Sequence, residues 1–248
     1  MDKIIKTILT FTIFIVIWYL VVIALLIPAY ILPNPIMVFE SLVINRLSIF
    51  TNSLITLEES LLGFFIANII SVTIALCIAF NKNIENTIMP FAITLKTIPI
   101  IALTPLLVVW FGPGEYSKIA TAALICFFPS LVNVLRGVKS LDRDLVDFFR
   151  AYSANKLQLI KMLIIPSILP YLFAALKVSS SLAVVGALVG EFIGANKGLG
   201  FLILSNYYTL NTPYVFACII ISSIIGILFY YVIHFVEKRV VTWTATID

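Results

Sequence analysis

The sequence has little charge and little of the chemistry that enzymes need. Only 11% of its 248 residues are charged, against about 25% in soluble domains, and 62% are hydrophobic. It has a single histidine, His234, and three cysteines inside apolar runs, without the spacing of a metal site or a disulfide framework. Walker, Gly-x-Ser-x-Gly and His-Glu-x-x-His sequences are missing as well. A soluble core cannot bury this much apolar surface, and we predict that the chain is not an enzyme and binds neither ATP nor a metal ion.

What the sequence does have is a series of apolar runs long enough to cross a bilayer. A spanning helix needs around 20 mostly apolar residues. Turn formers or charges separate the runs, which lie at about 8–31, 54–80, 88–110, 118–136, 163–190 and 213–235. We therefore predict an all-α polytopic membrane protein, a single transmembrane domain over 1–248 with about six transmembrane helices.

The distribution of basic residues predicts the orientation. If the N-terminus is cytoplasmic, most Lys and Arg residues outside the spans lie on the cytoplasmic side, as the positive-inside rule requires. Attraction to the anionic inner leaflet explains this balance without a nucleic-acid partner. We predict a multi-pass protein of the inner or plasma membrane with both termini in the cytoplasm.

The segment 137–161 is the one substantial polar stretch, and we predict that it is a cytoplasmic loop. Aromatic and aliphatic residues alternate with charges there at helical spacing. Ser140 is predicted to cap one short helix, and Asn155 with Gln158 to cap a second. Two interpretations stay open: a docking element for a partner protein, or an amphipathic loop whose aromatic side chains lie in the membrane interface.

The residues of this loop resemble a known signature. Asp147, Phe148 and Phe149 are followed after three residues by Ser153, and nine residues later come Leu163, Ile165 and Pro166. This spacing resembles the cytoplasmic signature E-A-A-x-x-x-G-x9-I-x-L-P of binding-protein-dependent ABC import permeases. Phenylalanines replace the two alanines, and a serine replaces the glycine.

Further segments resemble the nitrate/sulfonate/taurine branch of the same permeases, in the same order and at similar spacing from about residue 30 to 240. These segments are Leu32-Pro33-Asn34-Pro35, Ile98-Pro99, Thr104-Pro105-Leu106-Leu107, Trp110-Phe111-Gly112 with Gly114-Glu115, Leu169-Pro170-Tyr171, and Gly190-Glu191 with Gly194-Ala195 and Gly198-Leu199-Gly200. The chain is therefore similar to a permease subunit of a type I importer.

The resemblance implies a subunit that pairs with a second copy, most simply as a homodimer, and binds two ATPase subunits that carry ATP and Mg. It also implies an extracytoplasmic substrate-binding protein. The substrate class is a small polar or anionic solute of the sulfonate, taurine or nitrate kind, or a vitamin precursor. The residues assigned to ATPase coupling are Asp147, Phe148, Phe149, Arg150, Ala151, Tyr152, Ser153, Ala154, Leu163, Ile165 and Pro166.

The departures from the signature carry two expectations. A groove shaped for methyl groups would reject Phe148 and Phe149 by overpacking, so we expect a dedicated ATPase with a wider groove. Ser153 meets a steric penalty in the left-handed conformation that glycine adopts freely. Either the turn differs, or the helix runs on to Asn155.

Charges and small residues within the spans allow more than one interpretation. A charge inside a span costs about 2.5–3.5 kcal/mol, so Lys96 and Lys177 either snorkel toward the cytoplasm or form positive rings around an anion pathway. Serines 179–181 form a small-residue face with Gly186 and Gly190, suited to helix packing or to pathway lining. The residues predicted to line the pathway are Lys96, Pro99, Lys177, Ser180, Ser181 and Glu191.

Prolines and carboxylates within or near the spans also allow predictions. Pro99, Pro105 and Pro170 are predicted to interrupt helices and to mark hinges. Glu58 and Glu59 suit the N-terminus of the second span. Glu191 ends the fifth span, where it meets substrate, the binding protein or solvent.

The alternative function is a self-sufficient secondary transporter or channel. Such a protein is expected to show inverted repeats or paired intramembrane acids, and we find no repeat and no carboxylate deep in a span. An ATP-driven transporter without its own ATP site needs a partner subunit that binds ATP. The sequence therefore favours an ATP-driven permease over a secondary transporter.

Overall fold

The computed structural model describes residues 2–80 and 82–243. Side chains at 2–4, 80, 82, 91, 95, 96, 143 and 150 lie outside that description. Eleven α-helices and one π-turn make up the described part, which contains no strand, so the all-α prediction is confirmed. The helices are α1 Asp2–Ala24, α2 Pro35–Ile44, α3 Arg46–Phe80, α4 Lys82–Thr97, α5 Ile100–Phe111, α6 Glu115–Lys139, α7 Arg143–Ala151, α8 Lys156–Leu159, α9 Ile165–Glu191, α10 Leu199–Tyr208 and α11 Thr212–Val240, with the π-turn Ile160–Ile164 before α9.

Five of the described helices are long and apolar enough to cross a membrane. They are Ile5–Ala24, Arg46–Ala79, Glu115–Lys139, Lys156–Glu191 and Thr212–Val240. These correspond to five of the six predicted spans. The third, predicted at 88–110, is instead two shorter helices, α4 and α5, broken at Ile98-Pro99.

The break has a simple cause in proline chemistry. Pro99 has no N–H to donate and disfavours helical geometry at the residue before it, and it takes the N-cap position of α5 with ψ 116°. Pro105 and Pro170 were also predicted to interrupt helices, and for both the prediction was wrong. Each lies within a continuous helix, α5 or α9.

Helices α3, α6 and α9 form the core of the bundle because small residues let their backbones approach closely. A Cβ added at Gly63 of α3 would lie 2.5 Å from the Ala122 side chain of α6. One added at Gly186 of α9 would lie 2.6 Å from the Ala122 Cα, and one at Gly190 would lie 2.9 Å from the Lys118 Cα. The packing interpretation of the small-residue face is therefore confirmed at Gly186 and Gly190.

Polar side chains within this core bond to one another across the three helices. The Ser130 hydroxyl lies 2.7 Å from Asn68 Oδ1 and 2.6 Å from the Ser179 hydroxyl. The Ser71 hydroxyl donates to the carbonyl of Phe127 at 3.0 Å. In an apolar surrounding these bonds satisfy groups that would otherwise be costly to bury, so they fix how the helices are rotated against one another.

The core helices have two distinct ends. The 25 residues of α6 cover about 37 Å at 1.5 Å per residue and lead into α7, after which α9 returns. We call the end that carries α7 and α8 the α7 end. The end where α6 begins at Glu115 and α9 finishes at Glu191 is the far end.

Candidate functional site

Helix α7 begins at a cap that differs from the prediction. The Asp142 carboxylate accepts a hydrogen bond from the Asp144 N–H at 2.9 Å. Ser140 was predicted to cap this helix, but it instead ends α6, and its hydroxyl donates to the Gly137 carbonyl at 2.9 Å. The prediction was wrong because α6 runs about one turn further than the span 118–136.

Helix α7 has one broad apolar face. At 100° per residue its apolar side chains fall within about 160° of the helix circumference, and Val146 and Phe149 at one edge of that face are half-buried. Leu145, Phe148 and Tyr152 follow the spacing i, i+3, i+7 and are 47%, 55% and 76% exposed. The Phe148 and Tyr152 rings lie 4.7 Å apart between centroids. We call Leu145, Phe148 and Tyr152 the apolar stripe.

The turn after α7 shows that both alternatives predicted for Ser153 were wrong. Helix α7 ends at Ala151, and Ser153 adopts the left-handed conformation with φ +55°. The Ala154 N–H donates to the Phe149 carbonyl at 3.0 Å, as in a Schellman turn. The serine therefore takes up the backbone conformation that favours glycine.

Replacing Ser153 by glycine is expected to stabilise this turn by roughly 0.5–1 kcal/mol. The left-handed conformation costs a side chain about 1–2 kcal/mol, and glycine's greater freedom in the unfolded chain offsets part of the gain. Limited proteolysis of the α7–α8 segment in detergent measures the effect, with Ser153→Ala as the control that keeps the side-chain penalty. A faster-cut glycine variant would contradict the expectation.

The short helix α8 is capped as predicted. Asn155 Oδ1 accepts from the Gln158 N–H at 2.9 Å, and Gln158 Oε1 accepts from the Asn155 N–H at 2.8 Å. The π-turn follows and leads into α9 just before Pro166. Among the remaining predicted coupling residues, Leu163 is buried, Ile165 and Ala151 are exposed, and Pro166 and Ala154 are half-buried. The Asp147 side chain is exposed, and the side chain of Arg150 lies outside the described part.

The predicted pathway residues do not come together in one place in this subunit. Pro99 is exposed at the α4–α5 break. Ser180 is fully buried and donates to the Lys177 carbonyl at 2.8 Å. Ser181 is exposed and lines a cleft of about 280 Å³ against Ser222 of α11. The side chain of Lys96 lies outside the described part.

Lys177 has a partner that the sequence did not reveal. Its ammonium lies 2.7 Å from Glu237 Oε2 on α11, and the side chains are 22% and 19% exposed. His234 Nδ1 lies 3.4 Å from the same carboxylate oxygen. The cluster after residue 234 looked like a solvated helix end in the sequence, so nothing pointed to a pairing across helices.

Glu191 is the centre of a buried cluster at the far end. Its carboxylate accepts from the Thr56 hydroxyl at 2.6 Å and from the Gly200 N–H at 2.5 Å. It is 1% exposed, so the reading of a helix-end carboxylate in solvent was wrong. The Gly198 N–H donates to Asn52 Oδ1 at 2.7 Å, and the Leu199 N–H to the Thr56 hydroxyl at 2.8 Å.

These bonds explain why α10 can start inside the protein. The first N–H groups of a helix have no partner within it, and burying them unbonded is costly. Here two side chains of α3 and one carboxylate of α9 accept from three successive backbone groups, and the negative carboxylate suits the positive N-terminal end. The turn between α9 and α10 is thereby tied to α3.

Two more buried charges adjoin Glu191. Glu59 is 5% exposed and Lys118 is 2% exposed, and the two interact electrostatically with each other and with Glu191. The Lys118 ammonium donates to the carbonyls of Pro113 and Gly114. Helix α3 begins at Arg46, more than three turns before Glu59, so the predicted helix-terminus explanation for Glu58 and Glu59 was wrong. The only sign of this cluster in the sequence was that three ionisable residues lie near the ends of apolar runs. Their proximity to one another depends on the fold.

Comparison of the chain with known proteins identifies its family. Residues 60–242 match the family described as binding-protein-dependent transport system inner membrane component. A formylaminopyrimidine transport permease of Halalkalibacterium halodurans is 36% identical over 215 residues, 86% of each chain. A putative aliphatic sulfonates transport permease of Bacillus subtilis is 30% identical over 218 residues, 87% of this chain and 79% of that protein.

The fold is also found in a solved transporter. An inward-facing structure of a methionine ABC transporter matches with a TM-score of 0.66 at 19% identity, over 79% of this chain and 96% of that one. These relatives are transport components rather than enzymes. The chain therefore belongs to the family of binding-protein-dependent transport system inner membrane components and is a permease subunit of an ABC importer.

Proposed function

We propose that this permease pairs with a second copy of itself, that the two copies form the translocation pathway, and that two ATPase subunits drive them by docking on α7. ATP and Mg are bound by those ATPases, and an extracytoplasmic binding protein delivers the solute. The observation that carries the proposal is the apolar stripe of α7, which projects from the end of the bundle.

The stripe supports docking because it is the exposed part of the apolar face of α7. Val146 and Phe149 at one edge of that face are half-buried, whereas Leu145, Phe148 and Tyr152 stay exposed in this subunit. Contiguous exposed apolar surface, especially aromatic, marks interaction sites, and aromatic residues are frequent anchors of interfaces. The exposed part of the apolar face is thus available to a partner.

The structure also refines the expectation about the two phenylalanines. Phe148 is exposed, whereas Phe149 is half-buried and its carbonyl accepts the Schellman bond from Ala154. The bulk that a widened ATPase groove has to accommodate is therefore Phe148 with the neighbouring ring of Tyr152. We expect Phe149 to contribute to the stability of the loop instead.

Replacing both Phe148 and Tyr152 by alanine is expected to abolish co-purification of the ATPase and ATP-dependent uptake. Removal of two central aromatic anchors costs an interface about 2 kcal/mol or more each. The measurement is pull-down of the partner ATPase from detergent-solubilised membranes, together with uptake in proteoliposomes. The matched control is Tyr208→Ala at the far end, because Tyr208 is 75% exposed and Tyr152 is 76% exposed.

Three outcomes separate docking from the alternatives. Loss of the ATPase in the α7 variant and not in the Tyr208 variant supports the proposal. Retained ATPase and uptake in both would mean that the aromatic side chains only lie in the membrane interface, as Tyr and Trp often do. Uptake by the permease alone in liposomes, without an ATPase, would favour the secondary transporter, for which the buried pair Glu59 and Glu191 provides an acidic site.

The proposed substrate is a small polar or anionic solute of the sulfonate, taurine or nitrate kind, or a vitamin precursor. Support comes from the relatives, which are named for formylaminopyrimidine and aliphatic sulfonates. The pathway residues that we propose remain Lys96, Pro99, Lys177, Ser180, Ser181 and Glu191. Because Lys177 is paired with Glu237, its charge is compensated within the subunit, and Ser181 is the member of the serine run that an approaching solute would reach. Isolating the ligand that the partner binding protein retains tests the substrate class.

A further inference from the structure

A pocket of about 350 Å³ opens at the far end of the bundle, next to the buried cluster. Its lining includes three carboxylates, Glu58, Glu59 and Glu115, and two lysines, Lys118 and Lys197. Glu58 and Glu115 are exposed at the rim, whereas Glu59 is 5% exposed. The pocket is therefore acidic at its mouth and holds a buried carboxylate further in.

The carboxylate of Glu59 is incompletely satisfied. Among the described residues, its Oε2 is one of two buried side-chain polar atoms without a hydrogen-bond partner. Glu191 and Glu115 nearby add negative charge, and Glu191, which is within hydrogen-bonding reach of Glu59, already accepts from Thr56 and Gly200. A buried carboxylate oxygen without a donor is costly, so the site is suited to a group that brings N–H donors and positive charge.

The lysines of the pocket do not meet that need. The Lys118 ammonium is directed to the backbone carbonyls of Pro113 and Gly114, the latter at 2.9 Å. Lys197 is exposed on the α9–α10 turn. At the mouth, the exposed carboxylates Glu58 and Glu115 face one exposed lysine, Lys197, so negative charge is in excess there. The pocket therefore favours an additional cation.

The geometry narrows the kind of cation. Within the described residues, no group of three acidic, histidine or cysteine side chains is arranged to hold a metal ion. Beneath the pocket the helices are in close contact, since Gly190 of α9 packs directly on Lys118 of α6. This contact leaves little room between α6 and α9 within the subunit. A side chain that enters and withdraws by the same mouth fits better than a solute in transit.

We propose that this pocket receives the ammonium or guanidinium group of a Lys or Arg side chain of the extracytoplasmic binding protein. The inference rests on the proposed function, which places the α7 end in the cytoplasm and the far end outside. Glu58 and Glu115 attract the basic side chain, and its N–H groups supply the donors that Glu59 lacks. Docking thereby contacts the turn that Glu191 ties to α3.

The test uses the permease–ATPase complex in proteoliposomes with the binding protein that stimulates its ATPase activity. Glu58→Gln combined with Glu115→Gln is expected to raise the binding-protein concentration for half-maximal stimulation roughly threefold to tenfold, with unchanged ATPase activity in the absence of binding protein. The matched control is Glu40→Gln, an exposed carboxylate of α2 outside the pocket. Raising the salt concentration should weaken stimulation of the unaltered complex and have less effect on the double variant.

A labelling experiment tests the cation preference without the partner. Ala195 lines the pocket, and Ala195→Cys in a Cys77→Ser background leaves only the two buried cysteines, Cys126 and Cys218. The test compares the rate of modification by a cationic methanethiosulfonate with the rate by an anionic one. We expect the ratio of these two rates to be several-fold higher for this cysteine than for a free thiol in solution. Glu58→Gln with Glu115→Gln should remove that preference.

The outcomes are distinct. The docking inference is overturned if the Glu58 and Glu115 double variant needs the same binding-protein concentration as the Glu40 variant, or if the anionic reagent labels faster. Either result leaves the proposed function unaffected. The double variant could instead change the substrate concentration needed for half-maximal stimulation at saturating binding protein, and leave the dependence on binding protein unchanged. That result overturns the docking inference, because the occupant of the pocket would then be the substrate's own amino group. If the unaltered complex is not stimulated by any binding protein, the proposed function fails and this inference fails with it.

Discussion

Alanine at Gly198 is expected to destabilise the permease by about 4 kcal/mol or more, among the largest effects of any single substitution. Gly198 has φ +103°, which side chains rarely adopt, and an added Cβ would lie 2.2 Å from the carboxyl carbon of Glu191. The carboxylate cannot move aside without losing its bonds to Thr56 and Gly200. Thermal unfolding of the detergent-solubilised protein, followed by size-exclusion chromatography, measures the loss.

Two other glycines separate the causes of this effect. Gly112 also has a positive φ, +82°, but an added Cβ meets nothing within 4 Å, so Gly112→Ala should show only the conformational cost of about 1–2 kcal/mol. Gly226 lies inside α11 with nothing within 4 Å, so Gly226→Ala should be neutral or stabilising by up to about 1 kcal/mol. Equal losses at Gly198 and Gly112 would show that the Glu191 contact adds nothing.

Methionine at Lys118 is expected to cost about 3–5 kcal/mol, because it keeps the length of the side chain and removes the charge between two buried carboxylates. The Pro113 and Gly114 carbonyls lose their donor, and Glu59 and Glu191 lose the compensating cation. Unfolding by denaturant in mixed micelles measures the free energy. Lys197→Met is the control, since Lys197 is exposed on the same side and should change stability by less than about 0.5 kcal/mol.

Combining Lys118→Met with Glu59→Gln shows whether the loss of stability comes from the lost charge. If the loss comes from uncompensated carboxylates, Glu59→Gln should recover part of the stability of the Lys118→Met protein, although Glu59→Gln alone offers no such gain. Strictly additive effects would mean that Lys118 acts only through its packing against Gly190 and its bonds to the α5–α6 turn.

The spans and the capping of the loop were largely predictable, because hydropathy and caps are local properties. The capping box at Asn155 and Gln158 depends on residues three apart, and five apolar runs became long helices. The apolar stripe was also within reach, since Leu145, Phe148 and Tyr152 show the helical spacing i, i+3, i+7. The signature instead aligns with the adjacent pair Phe148 and Phe149, of which Phe148 is exposed and Phe149 is half-buried, with their ring centroids 6.2 Å apart.

The rest depended on contacts between distant segments. Pro99 ends a helix whereas Pro105 and Pro170 do not, and nothing local to each proline distinguishes them. The charges of Glu59, Lys118 and Glu191 looked like independent features of three separate segments. Each is tolerated in the bundle only because the others are near, and that proximity comes from the small residues that bring α3, α6 and α9 together.

The π-turn at Ile160–Ile164 has a consequence for how α8 is oriented relative to α9. There the Ile165 N–H bonds to the Ile160 carbonyl, five residues back instead of four, so the rod from α8 into α9 holds one residue more than a regular helix would. A π-turn takes up one extra residue in a single wider turn, so the helices on either side keep nearly the relative rotation of an uninterrupted helix that is one residue shorter. Deleting one residue here is therefore expected to restore a regular helix and to leave the faces of α8 and α9 in place. The turn makes the number of residues between Asn155 and Pro166 less critical than the same number would be in a regular helix.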